Sequence, residues 1–200
     1  MNELYIEAED FLNPDEIEIV ENNILSNDFG WFYQQNSVGG LFPFYSHVIF
    51  GRDTLDDDSY TPISNSTLSS WVLPIVERFS TLYLNKSVEK IYRSCLNSTQ
   101  GWTLPYPYIE PHVDHKFNHY NLLIYLTDEF EGGDTLLFDK MLVGDNQKLN
   151  YDVDEYDQLN VLCNIKPKRY KAVCFPGSIF HSVSNFHSNN RRVVSVTTFS

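Results

Sequence analysis

Cysteine is scarce in this chain: Cys95, Cys163 and Cys174 are its whole complement. An odd number without C-x-x-C spacing suggests neither a disulfide framework nor a thiolate zinc site, and fits a reduced compartment. Basic residues are scarce too, 14 Lys and Arg against 27 Asp and Glu, for a formal net charge of -13 with His neutral. Such a field repels phosphate backbones and anionic lipid surfaces, so neither nucleic acid nor membrane is an expected partner. No stretch approaches the roughly 18 apolar residues of a membrane span. The opening MNELYIEAEDF carries acids where a secretory signal needs a basic and then an apolar region. A cytoplasmic location is therefore expected. No internal repeat or low-complexity segment marks a linker.

What the chain does have is burying capacity. Apolar residues make up 42% and aromatics 15% of its 200 residues, enough for one globular domain spanning 1–200 and too much for a disordered chain. Phe11-Leu12-Asn13-Pro14-Asp15-Glu16 sets a capping Asn before a Pro at the first helical position, with acids where the helix dipole favours them. A helix over 14–25 follows, with Ile17, Val20, Ile24 and Leu25 near one face. A second is predicted over 67–84, with Pro74 as a kink or break. Beyond residue 85, short aromatic and β-branched runs between turn formers predict antiparallel strands. These cover 88–96, 109–114, 120–126, 135–138, 171–175, 178–183 and 192–199, with earlier strands over 44–50 and 30–34. The polar stretch 144–160 reads as a surface excursion. Its acids Asp152, Asp154, Glu155 and Asp157 lack the central Gly and terminal Glu of a calcium loop, and Asp56-Asp57-Asp58 reads likewise as a solvated face.

Chemistry concentrates in Tyr108-Ile109-Glu110-Pro111-His112-Val113-Asp114-His115. On a strand, residues two apart share a face, so His112 and Asp114 converge. An imidazole and a carboxylate are two sides of a metal site, and a distant His completes a facial triad that suits iron(II) and leaves positions open. H-x-D alone is a weak signal. His181 strengthens it, because an apolar strand and the Pro176-Gly177 turn lead straight into its own strand. Ten residues later Arg191 offers a guanidinium suited to gripping a carboxylate. Arg192 is its immediate rival, since strand neighbours face opposite ways. With Arg191 inward, Val193, Ser195 and Thr197 share its face, and Ser195 is placed to bond the same carboxylate. With Arg192 inward, the lining is Val194 and Val196.

In that order, His112-x-Asp114, the strand Leu123-Ile124-Tyr125-Leu126-Thr127, the turn Glu131-Gly132-Gly133-Asp134-Thr135, Phe175-Pro176-Gly177 leading to His181, and the following Arg resemble the iron(II) and 2-oxoglutarate dependent dioxygenases. The likeness is to their prolyl 4-hydroxylase-like branch and covers about 88–199. It implies a double-stranded β-helix, a jelly-roll barrel, in an otherwise mainly β, α+β chain: 1–87 would supply helices and supporting strands, 88–200 the catalytic core. It implies iron(II) on His112, Asp114 and His181, with 2-oxoglutarate and O2 as cosubstrates and ascorbate as a compatible reductant. It favours Arg191, at the spacing where this branch places its basic residue, over Arg192 for holding the distal carboxylate of 2-oxoglutarate. Tyr125 matches a Tyr that bonds the cosubstrate in related hydroxylases, although a core Tyr on this sheet reads as well. The implied reaction hydroxylates an unactivated C–H bond and releases succinate and CO2. Asp114 argues against halogenation, for which related enzymes carry a small residue there.

His115 and His119 read as exposed or supporting residues, with His115 next to Asp114 placed to orient that carboxylate or touch substrate. Substrate specificity is expected from loops at the barrel mouth. Trp102, Tyr106 and Tyr108 form either a stacking wall for a peptidyl proline or a cover for the barrel edge, and a peptide or protein substrate is favoured slightly over a small molecule. The rival reading is a metal-binding jelly-roll module that recognises a ligand without turning it over. Oligomeric state is not legible in the sequence.

Overall fold

The computed structural model describes residues 4–36, 42–54, 56–103, 105–142, 159–187 and 190–200. Asp152, Asp154, Glu155 and Asp157 lie outside the described residues. The elements run β1 (Ile6–Ala8), α1 (Pro14–Ile19), β2 (Phe32–Gln34), β3 (Phe44–Phe50), α2 (Ser69–Phe79), β4 (Ile91–Thr99), β5 (Tyr120–Tyr125), β6 (Glu131–Gly132), β7 (Thr135–Met141), β8 (Val161–Ile165), β9 (Ala172–Pro176), β10 (Ile179–Val183), β11 (Phe186–His187) and β12 (Arg192–Phe199). Each helix continues into a wider π-helical turn, Val20–Ile24 and Ser80–Leu84. The helical spans are thus 14–24 and 69–84, within two residues of the predicted 14–25 and 67–84, and Pro74 stands within α2 without ending it.

Every pairing between these strands is antiparallel. A large sheet runs β1-β9-β5-β12-β4-β3-β2, a small one β10-β7-β8, and β11 pairs with β6. Strands from both sides of residue 87 share the large sheet. Alternation along β5 explains the layering. Leu122 and Ile124 face a core built with Trp71, Val72, Ile75, Val76 and Phe79 of α2, while Leu123 and Tyr125 face Leu137, Ile165 and Ile179 of the small sheet. β12 does the same, with Val193 toward the helices and Val194 and Val196 toward the small sheet. One register therefore fixes two faces, and a slip by one residue would invert both. Helices cover one side of the large sheet and the small sheet covers the other, which is the two-layered jelly-roll barrel expected. Each fully buried Val, Ile or Phe on these faces contributes about 1.5–3 kcal/mol.

The helices are tied down by chemistry visible in their sequence. Asn13 Oδ1 accepts from Glu16 N and Glu16 Oε2 accepts from Asn13 N, both at 2.9 Å, a reciprocal cap. Arg78 of α2 donates to both oxygens of that same Glu16 at 2.6 and 2.7 Å, locking α2 to the start of α1.

Three differences from the sequence reading have physical causes. Strand β4 begins at Ile91, three residues after the predicted start at Val88. The strands β1, β6, β8 and β11 were not predicted; β1 and β8 are edge strands of their sheets, and β6 and β11 are two residues each and pair only with each other. The stretch 109–114 is not a regular strand but a segment bridged to β10 at His112↔His181 and to the residue after β10 at Tyr108↔Ser184. Four steps on one side match three on the other, so the segment carries an extra residue, and Pro111, which has no N–H, sits within it.

Candidate functional site

The mouth between the sheets holds a cavity of about 320 Å3 whose lining includes His112, Asp114, His181, Arg52, Arg93, Thr135 and Arg192. His112 and His181 are fixed to each other through the backbone, each N–H donating to the other's carbonyl at 3.0 Å. Their rings stand 4.7 Å apart between centroids. Asp114, two residues beyond His112, returns to the same face, and its Oδ2 lies 3.4 Å from His181 Nε2. The sequence-predicted trio is thus brought to one wall of one cavity.

Tautomers follow from the partners. His112 Nδ1 faces the Glu110 carbonyl at 2.8 Å and His181 Nδ1 faces the Ile179 carbonyl at 3.2 Å. A carbonyl only accepts, so each Nδ1 carries a proton and each Nε2 of a neutral ring carries the lone pair. Burial first, and the neighbouring His181 second, push His112 down to about 4, so its ring is neutral at physiological pH. Burial alone would raise Asp114, but His181, Arg93 and His112 outweigh it and hold the carboxyl well below the usual carboxylate range. Asp114 Oδ2 is buried and has no hydrogen-bond partner. A carboxylate oxygen and an imidazole lone pair at 3.4 Å repel unless a cation or a proton lies between them. Among the described residues no group of three His, Cys, Asp or Glu side chains stands ready-made as a metal cage; the close contact is His181 with Asp114, and His112 adjoins it.

Two arginines that sequence reasoning missed converge on Asp114. Arg93 Nη1 lies 3.3 Å from Asp114 Oδ1, and Arg52 Nη1 donates to the Asp114 carbonyl at 2.6 Å. Burial and then Arg93 push Arg52 down to about 10, leaving it charged at neutral pH. Arg93 did leave a signal: on β4 the residues Arg93, Cys95, Asn97 and Thr99 alternate against Tyr92, Ser94, Leu96 and Ser98, and a cation within a buried strand asks for a partner. Arg52 sits in a loop and left none.

At the other end of the cavity, Arg192 is 2% exposed. Its Nε donates to the Gly133 carbonyl at 2.9 Å and Nη2 to Thr135 Oγ1 at 3.1 Å. The favoured inward placement of Arg191 is overturned. Arg192 shares the face of Val194 and Val196, which is the inner one because those two pack against the small sheet. Arg191 precedes the strand and lays its guanidinium 5.1 Å above the Trp31 ring. Ser195 goes with it: buried on the face of Val193, toward the helices, it is turned away from the cavity. Spacing along the chain located the arginine pair, but only packing chose the face.

Tyr125 stands behind the lining, its phenol 2.7 Å from Thr135 Oγ1 and its ring 5.4 Å beneath the Arg192 guanidinium. Burial raises its pKa. Gly133, at φ +66, is required here, since a Cβ would stand 2.8 Å from Phe130 and 3.3 Å from Arg192 Cδ.

The remaining expected residues fall elsewhere. His115 is fully buried, with Nε2 2.8 Å from Thr198 Oγ1 and its ring stacked on Phe117; it is not among the lining residues. His119 is buried beside it. Trp102 and Tyr106 do not line the cavity but pack on Phe42, which does. Tyr108 packs on Phe138. The expected wall of Trp102, Tyr106 and Tyr108 does not line the cavity; the aromatics that do are Phe42 and Phe44.

No family model and no curated protein matches this chain. Solved structures do match in fold. An oxidoreductase of the 2OG-Fe(II) oxygenase family from Burkholderia pseudomallei superposes with a TM-score of 0.68 at 14% identity, over 100% of this chain and 86% of its own. A prolyl hydroxylase from Trichoplax adhaerens, in complex with a hypoxia inducible factor peptide fragment, gives 0.58 at 14% over 99% and 84%. An epimerase in complex with Fe3+, alpha ketoglutarate and nogalamycin RO gives 0.58 at 11% over 98% and 78%. At these identities the likeness establishes the shared jelly-roll fold.

Proposed function

We propose that this chain is an iron(II)- and 2-oxoglutarate-dependent dioxygenase that hydroxylates an unactivated C–H bond. The observation that carries the reading is the convergence of His112, Asp114 and His181 on one wall of the cavity, with the buried Asp114 Oδ2 lacking a hydrogen-bond partner 3.4 Å from His181 Nε2. Two imidazoles and one carboxylate are the donor set of a non-haem iron(II) site with open positions, so the residues fit the metal. Iron(II) bound there, with 2-oxoglutarate and O2, supplies the oxidising power for hydroxylation while the cosubstrate is converted to succinate and CO2.

The chain's own residues do the rest. Glu110 and Ile179 carbonyls fix the ring orientations of His112 and His181. Arg192 and Thr135 receive the distal carboxylate of the cosubstrate. Arg192 only donates, and a protonated Tyr125 donates to the second lone pair of Thr135 Oγ1, which frees the Thr135 hydroxyl proton for an anion in the cavity. Leu123, Val194 and Val196 supply dry walls that exclude water from a reactive centre. A prolyl or other peptidyl substrate is supported by the peptide-bound neighbour, and the epimerase neighbour supports a small molecule.

The test is iron(II) binding together with succinate formation. Wild-type protein takes up one iron(II) per chain and forms succinate only when iron(II), 2-oxoglutarate and O2 are all present; His112→Ala and Asp114→Ala lose both while keeping the wild-type circular dichroism. Full activity in either variant removes the triad. Stoichiometric metal without 2-oxoglutarate-dependent O2 uptake replaces the enzyme by the ligand-recognition module.

A further inference from the structure

The function proposed above uses Arg192 but leaves the other two cavity arginines without a task. Arg93 shares its charge with Asp114 through one contact of 3.3 Å. Arg52 spends one N–H on a backbone carbonyl, and no carboxylate among the described residues forms an ion pair with it. Asp114 is the single acid among the lining residues. A protein of net charge -13 has thus lined one cavity with three guanidinia and a single carboxylate. A divalent metal adds to that excess, and a dianionic cosubstrate leaves two positive charges still unmatched. Partly buried charge without a counter-charge is unfavourable, so the site favours one more anion.

Position says which ligand that anion belongs to. On the large sheet Arg192 pairs with Thr99 and Arg93 pairs with Thr198, so the two lie at opposite ends of the same pair of strands, about 20 Å apart along the backbone at 3.3 Å per residue. Asp114 contacts the Arg93 end. The cosubstrate carboxylate at Arg192 and a second anion at Arg52 and Arg93 therefore occupy different ends. Phe42, Pro43 and Phe44 add an apolar wall. At about 320 Å3 the cavity lies at the small end for ligand sites, which limits what accompanies the cosubstrate to a group of amino-acid size.

Resting on the dioxygenase reading, we infer that Arg52 and Arg93 form the specificity site for a carboxylate on the substrate, so that the group hydroxylated belongs to a small anionic molecule or to a residue next to a free carboxylate. The arginine pair anchors the carboxylate, and the carbon skeleton lies between that anchor and the metal site.

The experiment is calorimetric titration of the manganese(II)-loaded protein under argon, saturated with 2-oxoglutarate so that the Arg192 end is filled. Inorganic sulfate is the first probe; L-proline with L-prolinamide, and an N-acetylated glycyl-proline as free acid with its amide, are the next two. Sulfate binds once per chain, each acid binds more tightly than its amide, and Arg52→Gln weakens sulfate about tenfold or more, as loss of one charged hydrogen bond requires. Arg52→Lys recovers part of that loss, and in Arg52→Gln the fall in sulfate affinity exceeds any fall in 2-oxoglutarate affinity, which a displaced Asp114 would lower as well. Preference for free proline over the acetylated dipeptide acid identifies a small-molecule source for the carboxylate, and the reverse a chain terminus. Sulfate that fails to bind at millimolar concentration, or binds Arg52→Gln as tightly as wild type, overturns the inference. If 2-oxoglutarate itself does not bind, the dioxygenase reading falls, and the sulfate arm repeated on the metal-free protein still decides whether the arginines form an anion site.

Discussion

Replacing Arg192 by Met removes a cation that is 2% exposed and donates to Gly133 O and Thr135 Oγ1. Truncating one side of a buried, hydrogen-bonded charge pair costs about 2–5 kcal/mol, which at 1.4 kcal/mol per decade is a loss of about 30-fold to several thousand-fold in 2-oxoglutarate affinity. Arg191→Met removes only a cation over the Trp31 ring at 5.1 Å, worth about 0.5–1 kcal/mol to stability at a partly exposed site, and leaves the affinity within twofold. Calorimetric titration of 2-oxoglutarate into the manganese(II)-loaded proteins measures both. Met keeps much of the aliphatic volume, so the melting temperature reports separately on the fold. If Arg191→Met loses the cosubstrate and Arg192→Met keeps it, the assignment of β12's inner face is wrong.

Other expectations follow from the same geometry. Gly133→Ala forces a side chain into φ +66 and against Phe130 and Arg192; it lowers stability by about 1–2 kcal/mol and weakens 2-oxoglutarate binding, and unchanged binding would detach the turn from the arginine. His115 is pushed down to about 3, by burial first, so the unfolded chain takes up a proton near 6.5 that the folded one refuses. Stability of the metal-free protein therefore falls as pH drops from 6.5 toward 3, with His115 contributing about 1.4 kcal/mol per pH unit, and His115→Gln flattens that slope in a denaturant series across pH. Phe79→Ala, at a fully buried position between α2 and the large sheet, costs about 3–5 kcal/mol by urea unfolding; a cost below 1 kcal/mol would contradict the two-layer core.

The parts of this molecule that were legible in its sequence are those where chemistry is local. Asn13-Pro14-Asp15-Glu16 announced a helix start because the cap is made within four residues. His112, Asp114 and His181 announced a site because a period of two puts the first pair on one face, and the turn at Pro176-Gly177 delivers the third. The strand expected over 109–114 failed because a proline and an extra residue interrupt the ladder while sparing the face of His112 and Asp114. What stayed hidden depends on contacts between distant segments. Whether Arg191 or Arg192 turns inward is decided by Val194 and Val196 meeting a sheet formed by other strands. Arg52 reaches Asp114 across 62 positions of sequence, and no local pattern encodes that distance.

The central claim is that His112, Asp114 and His181 hold iron(II) in a site open to 2-oxoglutarate. Anaerobic addition of iron(II) and then 2-oxoglutarate to the metal-free protein tests it directly, by the visible metal-to-ligand charge-transfer band that bidentate chelation produces. The account predicts a band that saturates at one 2-oxoglutarate per iron and is absent in Asp114→Ala. Iron demonstrably bound to the wild type with no band on adding 2-oxoglutarate would contradict it.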